Sequence, residues 1–120
     1  MARKDELGRA GEDRAAAYLS ACGYEILDRN WRCPDGEIDI VAAIEGRVVA
    51  VEVKTRSGIA YGHPFSAIND IKLGRMWRVA LAWAAAHPDA MRRRRVSVDA
   101  IAIIGRDPRK GALEHLEGLR

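Results

Sequence analysis

GEIDIVAAIEGRVVAVEVKTR, residues 36–56, alternates apolar residues with others through most of its length, the pattern of half-buried β-strands. Glu45-Gly46 is the only turn signal within it and divides it into two strands, about Glu37 to Ile44 and Arg47 to Arg56. Positions that neutral polar groups would normally fill include Glu37, Asp39, Glu52 and Lys54. Ionised groups at that density beside a core call for a reason.

A two-residue loop pairs Ile44 with Arg47. Counting outward sets Asp39 opposite Glu52 and Glu37 opposite Lys54, all four on one face, with Ile38, Ile40, Val51 and Val53 on the other. A four-residue loop keeps this register, whereas a three-residue loop with a bulge breaks it. Two opposed carboxylates about 5 Å apart repel by roughly 3 kcal/mol at an effective dielectric near 20. A divalent cation offsets that repulsion: Mg²⁺ takes carboxylate oxygens and keeps positions open for water and phosphate oxygens. The alternative is a solvated hairpin face with Glu37–Lys54 as a cross-strand ion pair. The flanking apolar runs mark the strands as central and covered, which favours the metal. Lys54 emerges beside Glu52 on the same face, where an ammonium can hold a water for attack and offset charge developing on phosphate. Asp39, Glu52 and Lys54 together make a workable apparatus for hydrolysing a phosphodiester.

Outward from the hairpin, the 120 residues fit one domain large enough for a real core. The net charge of +3 permits an anionic partner without requiring one. Cys22 and Cys33 match neither a zinc ribbon nor a redox pair and are expected to be reduced thiols in a cytoplasmic protein. The longest apolar run, around Ala80 to Ala86, falls far short of the roughly 20 residues a bilayer span needs, so no membrane association is expected.

A first helix is expected from about Asp5 to Cys22, with Leu7, Gly11, Ala15, Tyr18, Leu19 and Cys22 on its apolar stripe and Gly23 ending it. YEILDRNW (24–31) reads as a strand followed by a CPDG turn. A second helix is expected from about Ser66 to His87, VSVDAIAII (96–104) as a strand, and ALEHL (112–116) as a short edge strand. The order helix, three strands, helix, one or two strands gives a mixed α/β sheet with helices packed on it.

Four stretches in combination resemble the YraN-like family of small bacterial proteins: GE..A..YL...GY.IL.RN at 11–30, GEIDIVA at 36–42, VEVKTR at 51–56 and YGHP...I...K at 61–72. That family is similar to archaeal Holliday-junction resolvases and to the PD-(D/E)xK nucleases. The resemblance covers about residues 7–104 and implies a restriction-endonuclease-like αβββαβ core, with residues 105–120 as a tail or edge strand. It implies a Mg²⁺- or Mn²⁺-dependent nuclease site at Asp39, Glu52 and Lys54. It adds Glu12 on the first helix as a third metal ligand, the resolvase position. Glu37 matches the GEID glutamate and is expected beside the ligands or as the partner of Lys54. Ile38 stands where the superfamily motif has proline.

Glu12 borders the apolar stripe, so it either leans toward the sheet or pairs with Arg9 or Arg14. Lys72 sits on a core-facing line of the second helix, where it snorkels out or reaches a phosphate. Arg56 and Arg75 are further nucleic-acid-binding candidates. Residues Arg92–Arg95 read most simply as a solvated loop, and His63, His87 and His115 lack ligand spacing. The expected activity is endonucleolytic hydrolysis of DNA, with branched or junction DNA as a candidate substrate and a homodimer as a candidate assembly. The alternatives are a non-catalytic nucleic-acid-binding module on the same fold, and a partner-binding protein using the line Leu73, Trp77 and Leu81.

Overall fold

Val48, Val49, Ala50 and Val51 are all buried, at 7 % exposure or less. A continuous buried run, rather than an alternating one, marks a strand covered on both faces. In the computed structural model, which describes residues 2–120 and side chains from Glu6 onward, that strand is the middle of a five-stranded sheet.

The elements run α1 (Ala2–Ala21), β1 (Glu25–Cys33), β2 (Gly36–Ile44), β3 (Arg47–Arg56), a 3₁₀ turn (Pro64–Ala67), α2 (Asp70–Ala86), β4 (Arg95–Ile104) and β5 (Ala112–Leu116). The strand order is β1-β2-β3-β4-β5. Neighbours are antiparallel except β3 and β4, which are parallel and joined by the α2 crossover. The sheet is therefore mixed and flanked by helices, compatible with the expected αβββαβ core, and ALEHL is its outer strand. Among the described residues, no helix is long and apolar enough to cross a membrane.

Each helix covers one face. Ala15 and Leu19 of α1 pack on Ile40, Ala42, Val49, Val51, Ile101 and Ile103. Val79, Ala80 and Trp83 of α2 pack on Val41, Ala43, Val48, Ala50 and Val98. Gly11 sets how closely α1 approaches β3, because a Cβ there would overlap the Thr55 side chain. The exposed Cys22 lies off the apolar stripe, contrary to expectation.

The second helix begins four residues later than expected. Pro64 opens a 3₁₀ turn instead, Ile68 is extended, and the Asn69 side chain then caps α2 by accepting the Lys72 N–H at 2.9 Å. His87 ends it, with Nδ1–H donating to the Trp83 carbonyl at 2.8 Å. Arg95 is the first residue of β4 rather than part of a loop.

Candidate functional site

The β2–β3 ladder has the expected register, from Ile44↔Arg47 to Ile40↔Val51, and stops there. Beyond it the strands part, because the Asp39 carboxylate accepts the Val53 N–H at 2.7 Å. Alternation along β2 breaks at the same residue: Ile40 packs under α1, whereas Ile38 packs under α2. The expectation that Ile38 and Ile40 share a face is thus corrected. Strand β1 breaks in step. Arg29 pairs with Ile40 and points to α1, Trp31 pairs with Ile38 and packs under α2, and Asn30 between them is left-handed at φ 54°. One residue further back, a bulge between Ile26 and Asp28 places Leu27 under α2, while Asp28 accepts the Trp83 indole N–H at 3.0 Å. Irregularities of this kind re-aim side chains. Here they turn Arg29 and Asn30 toward Glu12.

Glu12 is 9 % exposed, so the structure favours leaning toward the sheet over an ion pair on its own helix. Its Oε2 accepts from Arg29 Nε (3.0 Å), Arg29 Nη2 (2.7 Å) and Asn30 Nδ2 (3.0 Å). Arg29 also holds Asp13 at 2.7 Å. The Asp39 carboxyl is pushed up to about 7, first by burial, then by the negative charge of Glu52, and further by that of Glu12, while the Val53 N–H opposes the rise. Asp39 of β2 thus lies within electrostatic reach of Glu52 on β3 and of Glu12 on α1, although their oxygens do not all come within 4.8 Å of one another. Among the described residues, N–H donors reach only one oxygen of each: Glu12 Oε2, Asp39 Oδ2 and Glu52 Oε2.

Lys54 is 7 % exposed, with Nζ 3.3 Å from Glu52 Oε2. Lys72 reaches in from the first turn of α2. Its pKa is lowered, first by hydrogen bonding with Lys54 and the charge of that ammonium, then by burial, with Glu52 opposing. Glu37 does not partner Lys54: it pairs with Arg32 Nε at 2.9 Å, because past Asp39 the two strands no longer face each other. Glu37 does stay near Asp39, on a cleft of about 1030 Å³ also lined by Arg9, Glu12, Asn30, Arg32, Thr55 and Arg56. Arg56 is exposed on this rim. Arg75 instead lays its aliphatic stem along Gly36.

A second polar cluster was not legible in the sequence. Fully buried Asp99 accepts from His115 Nε2 at 2.8 Å and from the Gly118 N–H at 3.0 Å, while the Tyr18 hydroxyl bonds His115 Nδ1 at 2.9 Å. Glu117 brings an oxygen close enough that one ligand atom from each of Asp99, His115 and Glu117 lies within 4.8 Å of the others. Both ring nitrogens of His115 and both oxygens of Asp99 already have partners, so the cluster pins β5 and α1 to β4. The signal that finds it is the antiparallel β4–β5 register, which sets His115 opposite Ile101 beside Asp99.

The model of the uncharacterised protein family UPF0102 matches residues 11–103. A UPF0102 protein of Arthrobacter sp. (strain FB24) is 49 % identical over 119 residues, covering 99 % of each chain. Another, from Paenarthrobacter aurescens, is 47 % identical over 119 residues, covering 99 % of this chain and 97 % of its own. A third, from Frankia casuarinae, is 52 % identical over 90 residues, 75 % of this chain and 76 % of its own. Matching along nearly its whole length, this chain belongs to the uncharacterised protein family UPF0102.

Proposed function

We propose that the protein is a metal-dependent endonuclease that hydrolyses phosphodiester bonds in DNA, with Mg²⁺ or Mn²⁺ as its cofactor. The observation that carries this reading is a buried Asp39 within electrostatic reach of Glu52 and Glu12, with the buried Lys54 on Glu52, at the point where β2 and β3 separate. The donor set fits a hard divalent ion: three carboxylates, each with an oxygen that no N–H reaches, with burial first and the charges of Glu52 and Glu12 after it keeping Asp39 partly protonated near neutrality. Asp39, Glu52 and Glu12 would hold the ion. When bound, it supplies a lowered pKa for a water molecule and a positive charge for phosphoryl oxygens.

The chain's own residues supply the rest. Arg29 and Asn30 fix the Glu12 carboxylate through Oε2 and leave Oε1 without an N–H donor. Lys54 is held by Glu52 through one N–H and has others to orient a water or a phosphate oxygen. Lys72 adds a second ammonium on the same side, which suits it to a phosphate group rather than to a carboxylate. Arg56, Arg9 and Arg32 along the cleft give the flanking backbone a positive path.

The test is incubation of nicked, branched and single-stranded DNA with Mg²⁺ or Mn²⁺. Cleavage by the wild-type protein that disappears in Asp39→Asn and Lys54→Ala is the expected result. Cleavage unchanged in those variants overturns the assignment. Salt-sensitive binding without cleavage by any form identifies a non-catalytic binding module instead.

A further inference from the structure

Strand β3 carries Glu52 and Lys54, and seven residues after it leaves the sheet the chain enters the 3₁₀ turn. Between them lies a short loop whose two large apolar side chains find no cover. Tyr61 is fully exposed (105 %) and Ile59 is 59 % exposed. The loop is nevertheless built. The Gly62 N–H donates to the Ile59 carbonyl at 2.9 Å, closing a β-turn with Tyr61 in its third position, and Gly62 takes the φ of 101° that follows.

Both ends of the loop are tied down. The Arg56 carbonyl accepts the Gly105 N–H at 2.9 Å. His63 Nδ1 accepts the Phe65 N–H at 3.1 Å, which leaves Nε2–H to donate to Glu114 at 2.9 Å. A phenol ring held away from its own protein on an anchored turn is placed to meet a flat partner. Tyr61 is five residues on from Arg56 of the cleft rim, a reach of at most about 18 Å. Arg56, exposed on the cleft rim at the foot of this loop, favours an anionic chain as the partner.

We propose that the Ile59–Gly62 turn is a base-stacking element: Tyr61 takes an unpaired nucleobase near the scissile phosphate and selects single-stranded or frayed DNA, as at branch points, over continuous duplex. This rests on the nuclease reading of the carboxylate site and names its substrate class. Every base has a π-face, so stacking on one tyrosine selects for unpaired bases without selecting sequence. In a continuous duplex the faces are already stacked, and the ring has only the backbone to touch. Ile59 on the same turn shields one edge of the stacked pair from water.

The experiment is fluorescence anisotropy of a labelled mixed-sequence single strand and of the duplex formed from it, with wild type, Tyr61→Ala and Tyr61→Phe. Tyr61→Ala is expected to weaken single-strand binding about tenfold, with Tyr61→Phe near wild type and duplex affinity changed less than about twofold. Because the ring contacts no core, urea midpoints should be equal for all three proteins. Equal single-strand affinity of the Ala variant and wild type overturns the proposal, as does an equal loss on duplex. A shifted gel-filtration volume for Tyr61→Ala overturns it as well, making the turn a self-association surface. If wild type cleaves DNA and Tyr61→Ala behaves identically, stacking fails while the nuclease reading stands. If wild type binds neither probe and cleaves nothing, both fail.

Discussion

Replacing Gly11 by alanine tests whether the approach of α1 to β3 is as close as the structure has it. The added Cβ overlaps Thr55 Oγ1 outright and lies 2.9 Å from both Thr55 Cβ and Cγ2. Rotating the threonine exchanges Oγ1 for another substituent but leaves its Cβ in place, so relief requires α1 to lift from the sheet. Gly8, one turn earlier on α1, has nothing within 4 Å of the same added atom. Alanine at either position gains up to about 1 kcal/mol of helix propensity, whereas overpacking costs about 1–3 kcal/mol. Gly8→Ala should therefore stabilise the protein by up to about 1 kcal/mol, and Gly11→Ala should destabilise it by up to about 2 kcal/mol. The gap between the two isolates the contact with Thr55. Urea denaturation followed by circular dichroism reads both as midpoint shifts at constant slope. Thr55→Ala should recover part of the loss in the Gly11→Ala background, since it removes Oγ1 and Cγ2 but not Cβ. Equal midpoints for the Gly8 and Gly11 variants would refute the close approach. Lifting α1 also carries Glu12 away from Asp39, so the cleavage proposed for the carboxylate site should fall with stability.

Raising Asp39 to about 7 means that the folded chain keeps a proton which the unfolded chain releases near its ordinary value of 3.8. Stability should fall as pH rises from about 4 to about 7, by at most about 4 kcal/mol, and level off above. Asp39→Asn, which keeps an oxygen for the Val53 N–H, should remove that slope; midpoints measured across the interval check it, and parallel curves for the two proteins contradict it. Mg²⁺ should raise the wild-type Tm, by the equivalent of about 2.7 kcal/mol at a hundred times Kd, with no rise in Asp39→Asn. His115→Ala strands the fully buried Asp99 carboxylate with only the Gly118 N–H and should cost about 3 kcal/mol, with faster hydrogen exchange along β5. Tyr18→Phe removes only the outer hydrogen bond of that cluster and should cost about 1 kcal/mol.

The hairpin register was legible because Glu45-Gly46 is its only turn signal and a two-residue loop fixes which residues pair. The meeting of Asp39 with Glu52 followed from that register. What could not be read was the splaying beyond Ile40, because it arises from a side chain: the Asp39 oxygen takes a donor that a regular ladder would have given to backbone. For the same reason a regular count pairs Glu37 with Lys54, whereas Glu37 holds Arg32 once the strands separate. The partners of Glu12 were hidden too. Arg29 and Asn30 reach it only through a bulge and a left-handed residue, neither of which leaves a pattern in hydrophobicity. Asp99 and His115 are sixteen residues apart and meet through a pairing that sequence spacing does not specify.

The irregularities of β1 have an effect on its outer side as well. An incoming strand needs evenly spaced N–H and C=O groups along an edge, and β1 interrupts that spacing twice, at the bulge before Asp28 and at left-handed Asn30. The opposite edge, β5, offers only five residues and carries Glu114 and His115. Both borders are therefore poor templates for adding copies of the chain strand by strand. Resistance to polymerisation and the correct aim of Arg29 and Asn30 thus come from the same few distorted peptide units, and straightening β1 would forfeit both at once.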